Sequence, residues 1–366
     1  MSLPQAAHLP DGLANPQRLL AFSTLAMAIS MAVLDGTIVN VALPTMARDL
    51  AVAPQNAIWI VNAFQLAVTV SLLPLSALGE ALGYRRVYWS GLALFTLASL
   101  ACAFAPTFAA LTFARLVQGL GAAGIMSVNI ALIRFIYPHA RLGQGVGNMA
   151  VVVAVSTAGS PSVAAAILSV ASWRWLFLVN VPIGALALAM AARTLPATPR
   201  ASRRLDLMSV ALNGLTFGLL IAGVNRIGEG GRLAPALIEI GAGAAIGVVL
   251  VRRQLRLDAP LLPVDLLRRR VFALSLATSI TSFAAQSLAM VALPFYFEDV
   301  LGRSSAATGF LMTPWPVATA VIAPIAGRLA DRFIPGILGS IGLLVMAAGL
   351  VLVALKIGDP SPASLV

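Results

Sequence analysis

Apolar residues in this chain come in long blocks rather than in alternation with polar ones. Each block is close to the roughly 20 residues that a helix needs to cross a hydrocarbon core about 30 Å thick. Eleven such blocks fall at about 19–43, 57–78, 87–105, 108–132, 144–170, 175–194, 207–227, 234–251, 271–296, 306–327 and 336–356. Short connectors rich in arginine, proline and glycine separate them. Lipid offers no partner for a backbone amide, so an open segment at that depth must satisfy its hydrogen bonds internally, as a helix does. The pattern therefore predicts an all-α polytopic membrane protein with about eleven transmembrane helices.

Two longer polar connectors, about 195–206 and 252–270, divide the blocks into six, two and three. The expected organisation is an amino-terminal six-helix bundle over 1–195, a basic linker with two extra helices over 196–258, and a partial carboxyl-terminal bundle of three helices over 259–366. Six plus two plus six would be a complete plan, so the chain reads as truncated at its carboxyl end. Internal repetition supports two related halves. P-I-A-G-R-L-A-D-R at 324–332 matches P-L-S-A-L-G-E-A-L-G-Y-R-R at 74–86 in outline, with Asp331 falling on Glu80. Repeated halves around a central site are a common transporter design.

Composition agrees: 60% of the 366 residues are apolar and only 10% are charged. The formal net charge of +11 raises the question of nucleic-acid binding, and the placement of the positive residues answers it. With a cytoplasmic amino terminus, seventeen of the twenty-four basic residues fall on the inner side and six on the outer, with Arg115 deep within a helix. This is the positive-inside pattern of a multi-pass protein of a bacterial cell (inner) membrane, and nucleic acid is not an expected partner. The polar residues 1–18 lead into a full-length apolar helix and show no cleavable signal. Cys102 is a lone apolar-segment cysteine, and His139 has no metal-ligand company. No metal, no cofactor and no enzyme activity are expected; the nucleotide-binding pattern G-x-x-x-x-G-K-[ST] does not occur.

Five stretches carry a family resemblance: L-D-G-T-I-V-N-V-A-L-P at 34–44, S-W-R-W-L-F-L-V-N-V-P-I-G at 172–184, L-T-F-A-R-L-V-Q-G-L-G-A-A at 111–123, the turn ending G-Y-R-R at 83–86, and P-L-L-P-V-D-L-L-R-R-R-V-F-A-L at 260–274. Together they resemble the fourteen-helix drug:proton antiporter (multidrug efflux) branch of the major facilitator superfamily. The resemblance implies the major facilitator fold, alternating access, and export of cationic or amphipathic drugs in exchange for protons. Its partners would be a small-molecule substrate (a lipophilic cation), protons and the lipid bilayer. Alternatives are export of an endogenous metabolite or antibiotic, or a truncated product that does not transport. Two departures stand out. Ser160, Ala164 and Ala165 occupy positions where the fifth-helix motif has glycine, and Glu80 with Ala81 replaces the usual aspartate and arginine.

Charge in the bilayer core costs from ~2.5 to over 10 kcal/mol, which makes intramembrane ionisable groups functional candidates. Asp35 and Arg115 qualify, and both lie about 10 to 12 Å below the outer surface at 1.5 Å per residue. Asp35 is expected to accept proton and cation in turn, with Arg115 in a coupling role; a static helix-to-helix pair is the competing reading. Glu298, beside Asp299, is a third candidate where the family has glutamine. Glu80, Gly83, Arg85 and Arg86, with Asp331 and Arg332, form the expected gating turns, a carboxylate meeting a helix start and arginines meeting helix ends. Gly159 and Pro161 are expected to bend the fifth helix, Gly119, Gly121 and Gly124 to allow close packing, and Trp173 and Trp175 to sit in an outer interfacial belt.

Overall fold

The computed structural model describes residues 11–199, 206–228, 233–257, 260–261, 264–297, 301–302, 311–312 and 314–357. The regular structure among them is helical: α1 (Gln17–Asp49), α2 (Pro54–Ala57), α3 (Trp59–Leu82), α4 (Tyr84–Ala103), α5 (Phe108–Ile136), α6 (Leu142–Val170), α7 (Trp175–Leu178), α8 (Asn180–Thr194), α9 (Leu207–Gly228), α10 (Leu233–Gln254), α11 (Arg270–Phe295), α12 (Pro314–Ala330) and α13 (Pro335–Ile357). Among the described residues ten helical segments are long and apolar enough to cross a membrane, counting α7 with α8 as one span, and Val317–Ala330 is a shorter apolar helix. The described helices follow the eleven apolar blocks, but several run further. The 33 residues of α1 extend for about 50 Å at 1.5 Å each, past the block that predicted them.

The chain divides into two compact units, Met1–Leu142 with Gly159–Val264, and Gly143–Ala158 with Asp265–Val366, so the boundary crosses α6 beside Gly159. In the first unit α4 and α5 pack closely because small residues face each other. A Cβ on Gly91 would stand 2.8 Å from the Gly124 Cα, leaving room for nothing larger than hydrogen. Thr107 caps the start of α5 by accepting from the Ala110 N–H at 3.2 Å. Gly83, with φ of +97°, allows the chain to turn sharply from α3 into α4.

An apolar cluster in this unit gathers Ile38, Val39 and Met46 of α1, Ile60 of α3, Leu111 of α5 and Trp173 with Phe177. Trp173 corrects the interfacial expectation. It is 1% exposed, its indole N–H donates to Asp49 at 2.8 Å, and its ring meets Phe177 edge-on. An indole whose polar atom finds a protein partner has no need of the water interface. Trp175 is half exposed.

Helices α9 and α10 form a hairpin closed at both ends by ion pairs: Asp206 with Arg253 at 2.8 Å, and Arg226 with Glu239 at 2.6 Å. Asn213 fastens the hairpin to α3 by donating to the Val70 carbonyl at 2.8 Å. In the second unit, Gly143 and Gly147 of α6 lie against Ala323 and Gly327 of α12, so closely that a Cβ on Gly147 would come within 2.6 Å of the Ala323 carbonyl oxygen.

Candidate functional site

Asp35 and Arg115 project from different helices, α1 and α5, and meet in a direct ion pair with both side chains fully buried. The pair is the centre of a polar network that fully engages the carboxylate. Asp35 Oδ2 accepts from Arg115 Nη1, while Oδ1 accepts from the amides of Gln118 at 2.9 Å and Asn180 at 2.8 Å. Gln118 uses every group it has. Its carbonyl accepts from Arg115 Nη1 at 2.6 Å and from the Cys102 thiol at 3.5 Å, and its second N–H donates to Ser99 at 2.8 Å. Such an arrangement satisfies the demand that buried charges be paired and their remaining lone pairs hydrogen-bonded.

Arg115 is held from the other side too. Its Nε donates to the Ile60 carbonyl at 3.1 Å, and its guanidinium lies over the Phe64 ring at 4.2 Å from the centroid, a cation–π geometry. Nη2 alone, buried, has no hydrogen-bond partner among the described residues. The guanidinium thus keeps the two N–H donors of Nη2 in reserve.

A cavity of about 300 Å³ opens on the carboxylate side of this network. Asp35 and Asn180 supply its strongest polar groups, with Ser30; Met27, Met31, Leu34, Val163 and Ile183 contribute apolar wall. The combination of apolar walls with a few convergent polar groups is that of a small-molecule site. Arg115 and Gln118 stand behind the carboxylate rather than in the wall. Two residues past Asp35, the hydroxyls of Thr37 and Ser160 lie 2.7 Å apart and join α1 to α6 immediately before Pro161. Ser160, which departs from the glycine of the resembled motif, therefore has a use that glycine cannot supply. Gly159 has open space where a side chain would stand.

The turns at 80–86 and 331–332 differ in what they do. Glu80 is half-buried in the last turn of α3. Arg85 donates to the Ala192 carbonyl in the last turn of α8, where a cation meets the negative end of a helix; Arg86 is exposed. Asp331, past the end of α12, accepts from the backbone N–H groups of Gly143 at 2.6 Å and Gln144 at 3.0 Å. A carboxylate there neutralises two of the four unpaired donors at the start of α6. Arg332 is exposed beside it. Glu298 lies outside the described residues. Among the described residues no three His, Cys, Asp or Glu side chains come together as a metal site.

Reading the sequence singled out Asp35 and Arg115 and missed Gln118, Asn180 and Ser99. Gln118 had a signal: it follows Arg115 by three residues, so the two share a helix face. Asn180 had one too, as an amide within an apolar segment, where polar side chains act as interhelical links. Ser99 had none, since its hydroxyl also returns to its own helix at Phe95.

Residues 25–365 match the family model described as Major Facilitator Superfamily. The chain is 52% identical to the uncharacterized transporter YebQ of Escherichia coli (strain K12), over 97% of this chain and 78% of that protein. It is 30% identical to the multidrug resistance protein Stp of Mycobacterium tuberculosis (strain CDC 1551 / Oshkosh), over 92% of this chain and 64% of Stp. It therefore spans less than two thirds of Stp. Among solved structures the proton:xylose symporter XylE aligns with a TM-score of 0.59 at 15% identity, covering 86% of this chain and 70% of XylE, a likeness of fold. With helices, buried polar network and matched family model in agreement, this chain is a multi-pass membrane protein of the transporter class and belongs to the major facilitator superfamily.

Proposed function

We propose that the protein exports cationic or amphipathic compounds, lipophilic cations foremost, in exchange for protons by alternating access in the bacterial inner membrane, with Asp35 as the acceptor that proton and substrate share. The observation that carries this reading is the buried Asp35–Arg115 pair fronting a mostly apolar cavity. Protonating Asp35 removes the counter-charge of a buried guanidinium. Breaking a buried pair costs about 3–5 kcal/mol, which at 1.4 kcal/mol per tenfold is enough to reverse a two-state preference. Arg115, with Nη2 already unpaired, must then seek a new partner, and the network of Gln118 and Asn180 is released with it.

A cation arriving in the cavity replaces the proton: it meets the carboxylate at Asp35 and the carbonyl of Asn180 against walls suited to its apolar body. Export of this kind agrees with the similarity to Stp, a multidrug resistance protein. The gating role falls to the turns at 80–86 and 331–332, in which helix-end contacts form in one state and separate in the other. Gly159 and Pro161 give α6 the place to bend.

Efflux of a fluorescent lipophilic cation from cells expressing the chain, with and without a proton uncoupler, tests the proposal. Uncoupler-sensitive efflux is expected. Efflux that persists in the uncoupled cell, or none from a well-inserted protein, would overturn it.

A further inference from the structure

A second cavity, about 520 Å³, lies in the first unit at the opposite end of α4 from the connector to α5. Leu82, Gly83, Arg85, Arg86, Trp89 and Thr198 line it. Its electrostatics are one-sided, with two arginines and no carboxylate among the described residues of the wall. Arg85 reaches the Ala192 carbonyl through one nitrogen, whereas the Arg86 side chain makes no hydrogen bond or ion pair among the described residues. Thr198 adds a hydroxyl 3.5 Å from the Arg85 backbone N–H. A pocket so equipped is complementary to an oxyanion of the phosphate class.

The continuation of α4 says more about the ligand. Trp89, Leu97, Leu100 and Phe104 are all exposed, Leu97 by 65% and Phe104 by 68%. At 100° per residue they fall with Arg86 on a single face of the helix. Arg86 to Leu97 covers about 16 Å of helix, roughly the hydrocarbon of one leaflet. Trp89, one turn above Arg86, stands where an indole marks the membrane–water boundary. A charged mouth with an apolar strip one leaflet deep fits a two-part ligand, an anionic head and a hydrocarbon tail.

We propose that this pocket is a binding site for an anionic phospholipid, its phosphate held by Arg86 and Arg85 and an acyl chain laid along Trp89 and Leu97. The arginine distribution assigns this end of α4 to the inner leaflet. A basic pocket between helix ends at that level is the ordinary setting for headgroup recognition. The ligand is distinct from any transported compound, because the pocket shares no lining residue with the cavity at Asp35.

Native mass spectrometry of the purified full-length chain, titrated separately with phosphatidylglycerol, phosphatidylcholine and inorganic phosphate, tests the assignment. Phosphatidylglycerol is expected to be retained over phosphatidylcholine, and Arg86→Gln to weaken its retention about fivefold, the scale of one arginine near an anionic surface. Arg86→Lys, which keeps the charge, serves as the check on folding and should recover most of the retention. Arg252→Gln, an equal loss of charge at the end of α10, should leave it unchanged, and Trp89→Ala should weaken the lipid without affecting phosphate. Equal losses in Arg86→Gln and Arg252→Gln would reduce the effect to general surface charge and overturn the site. Displacement of the lipid by millimolar inorganic phosphate would assign the pocket to a soluble anion and overturn the lipid reading.

Discussion

The two compact units each place a carboxylate where it can be satisfied, and they satisfy it differently. In the first unit Asp35, buried at the edge of the cavity, is met by a guanidinium and two side-chain amides. In the second, Asp331 is met by the backbone N–H groups of Gly143 and Gln144 at the start of α6. The guanidinium opposite Asp35 is itself buried, so removing the charge on one partner strands the other. The dipoles opposite Asp331 are neutral, so removing that charge leaves no ion without its counter-charge. A proton is therefore a strong perturbation at the first carboxylate and a weak one at the second. Coupling is to be sought where the loss of one charge has the larger consequence.

The comparison can be broken most forcefully at Arg115. Arg115→Ala leaves Asp35 buried without its cation, and a loss of about 3–5 kcal/mol is expected, read as a large fall in the thermal unfolding midpoint of the purified protein. Combining it with Asp35→Asn should recover part of that loss, since the double variant has no buried charge to strand. A double variant no more stable than Arg115→Ala would remove the pair from the account of stability.

Gln118→Leu and Asn180→Leu probe the same carboxylate at intermediate strength. Each removes one hydrogen bond to a charged acceptor, a contribution of about 1.5–3 kcal/mol. Transport should fall by roughly tenfold to a hundredfold, at 1.4 kcal/mol per tenfold. Asn180 lies in the cavity wall and Gln118 behind it, so Asn180→Leu should also raise the substrate KM, whereas Gln118→Leu should act mainly on turnover. Initial-rate measurements over a range of substrate separate the two.

At Asp331 the effect should be smaller. Asp331→Asn keeps one acceptor for the α6 start and loses the charge–dipole part, worth about 0.3–1 kcal/mol at exposed helix ends and up to ~2 when partly buried. A shift in the unfolding midpoint as large as that of Arg115→Ala would erase the distinction between the units.

The smallest effect belongs to the α9–α10 hairpin. Hydrogen bonds from Arg253 and Ser209 hold the Asp206 carboxyl down to about 2, against an ordinary value of 3.8. A depressed carboxylate contributes stability that is present in full above its unfolded value and lost as pH falls through the folded one. Its contribution should therefore be constant from pH 7 to about 5 and disappear between about pH 4 and 2. Solvent reaches this pair, so Arg253→Gln should cost the least of these substitutions. Comparing unfolding midpoints of the two proteins at pH 7 and pH 3 checks the sign: the difference between them should narrow in acid.

How far the sequence could be read follows from the same physics. Lipid demands long apolar helices, so the eleven blocks and the helices agree closely, with differences mainly at ends such as that of α1. The charges of Asp35 and Arg115 were legible because lipid makes an unpaired charge costly, and the structure brings the two together. The rest of the network was harder to read because Gln118, Asn180 and Ser99 are neutral and recur in transmembrane helices without a site role. Trp173 misled because an indole near a helix end suits an interface and a buried contact equally; only the tertiary placement of Asp49 decides between them. Asp331 was legible as a repeat of Glu80, but the N–H groups it meets are set by the packing of α6 on α12, which no local pattern encodes.

The most direct measurement is transport of a lipophilic cation into proteoliposomes holding the purified chain, driven by an imposed pH gradient, for the parent protein beside Asp35→Asn. Gradient-driven uptake by the parent and its loss in a correctly folded Asp35→Asn protein is the expected result. Uptake by Asp35→Asn at the parent rate and with the parent's dependence on the gradient would contradict the assignment of proton coupling to this carboxylate.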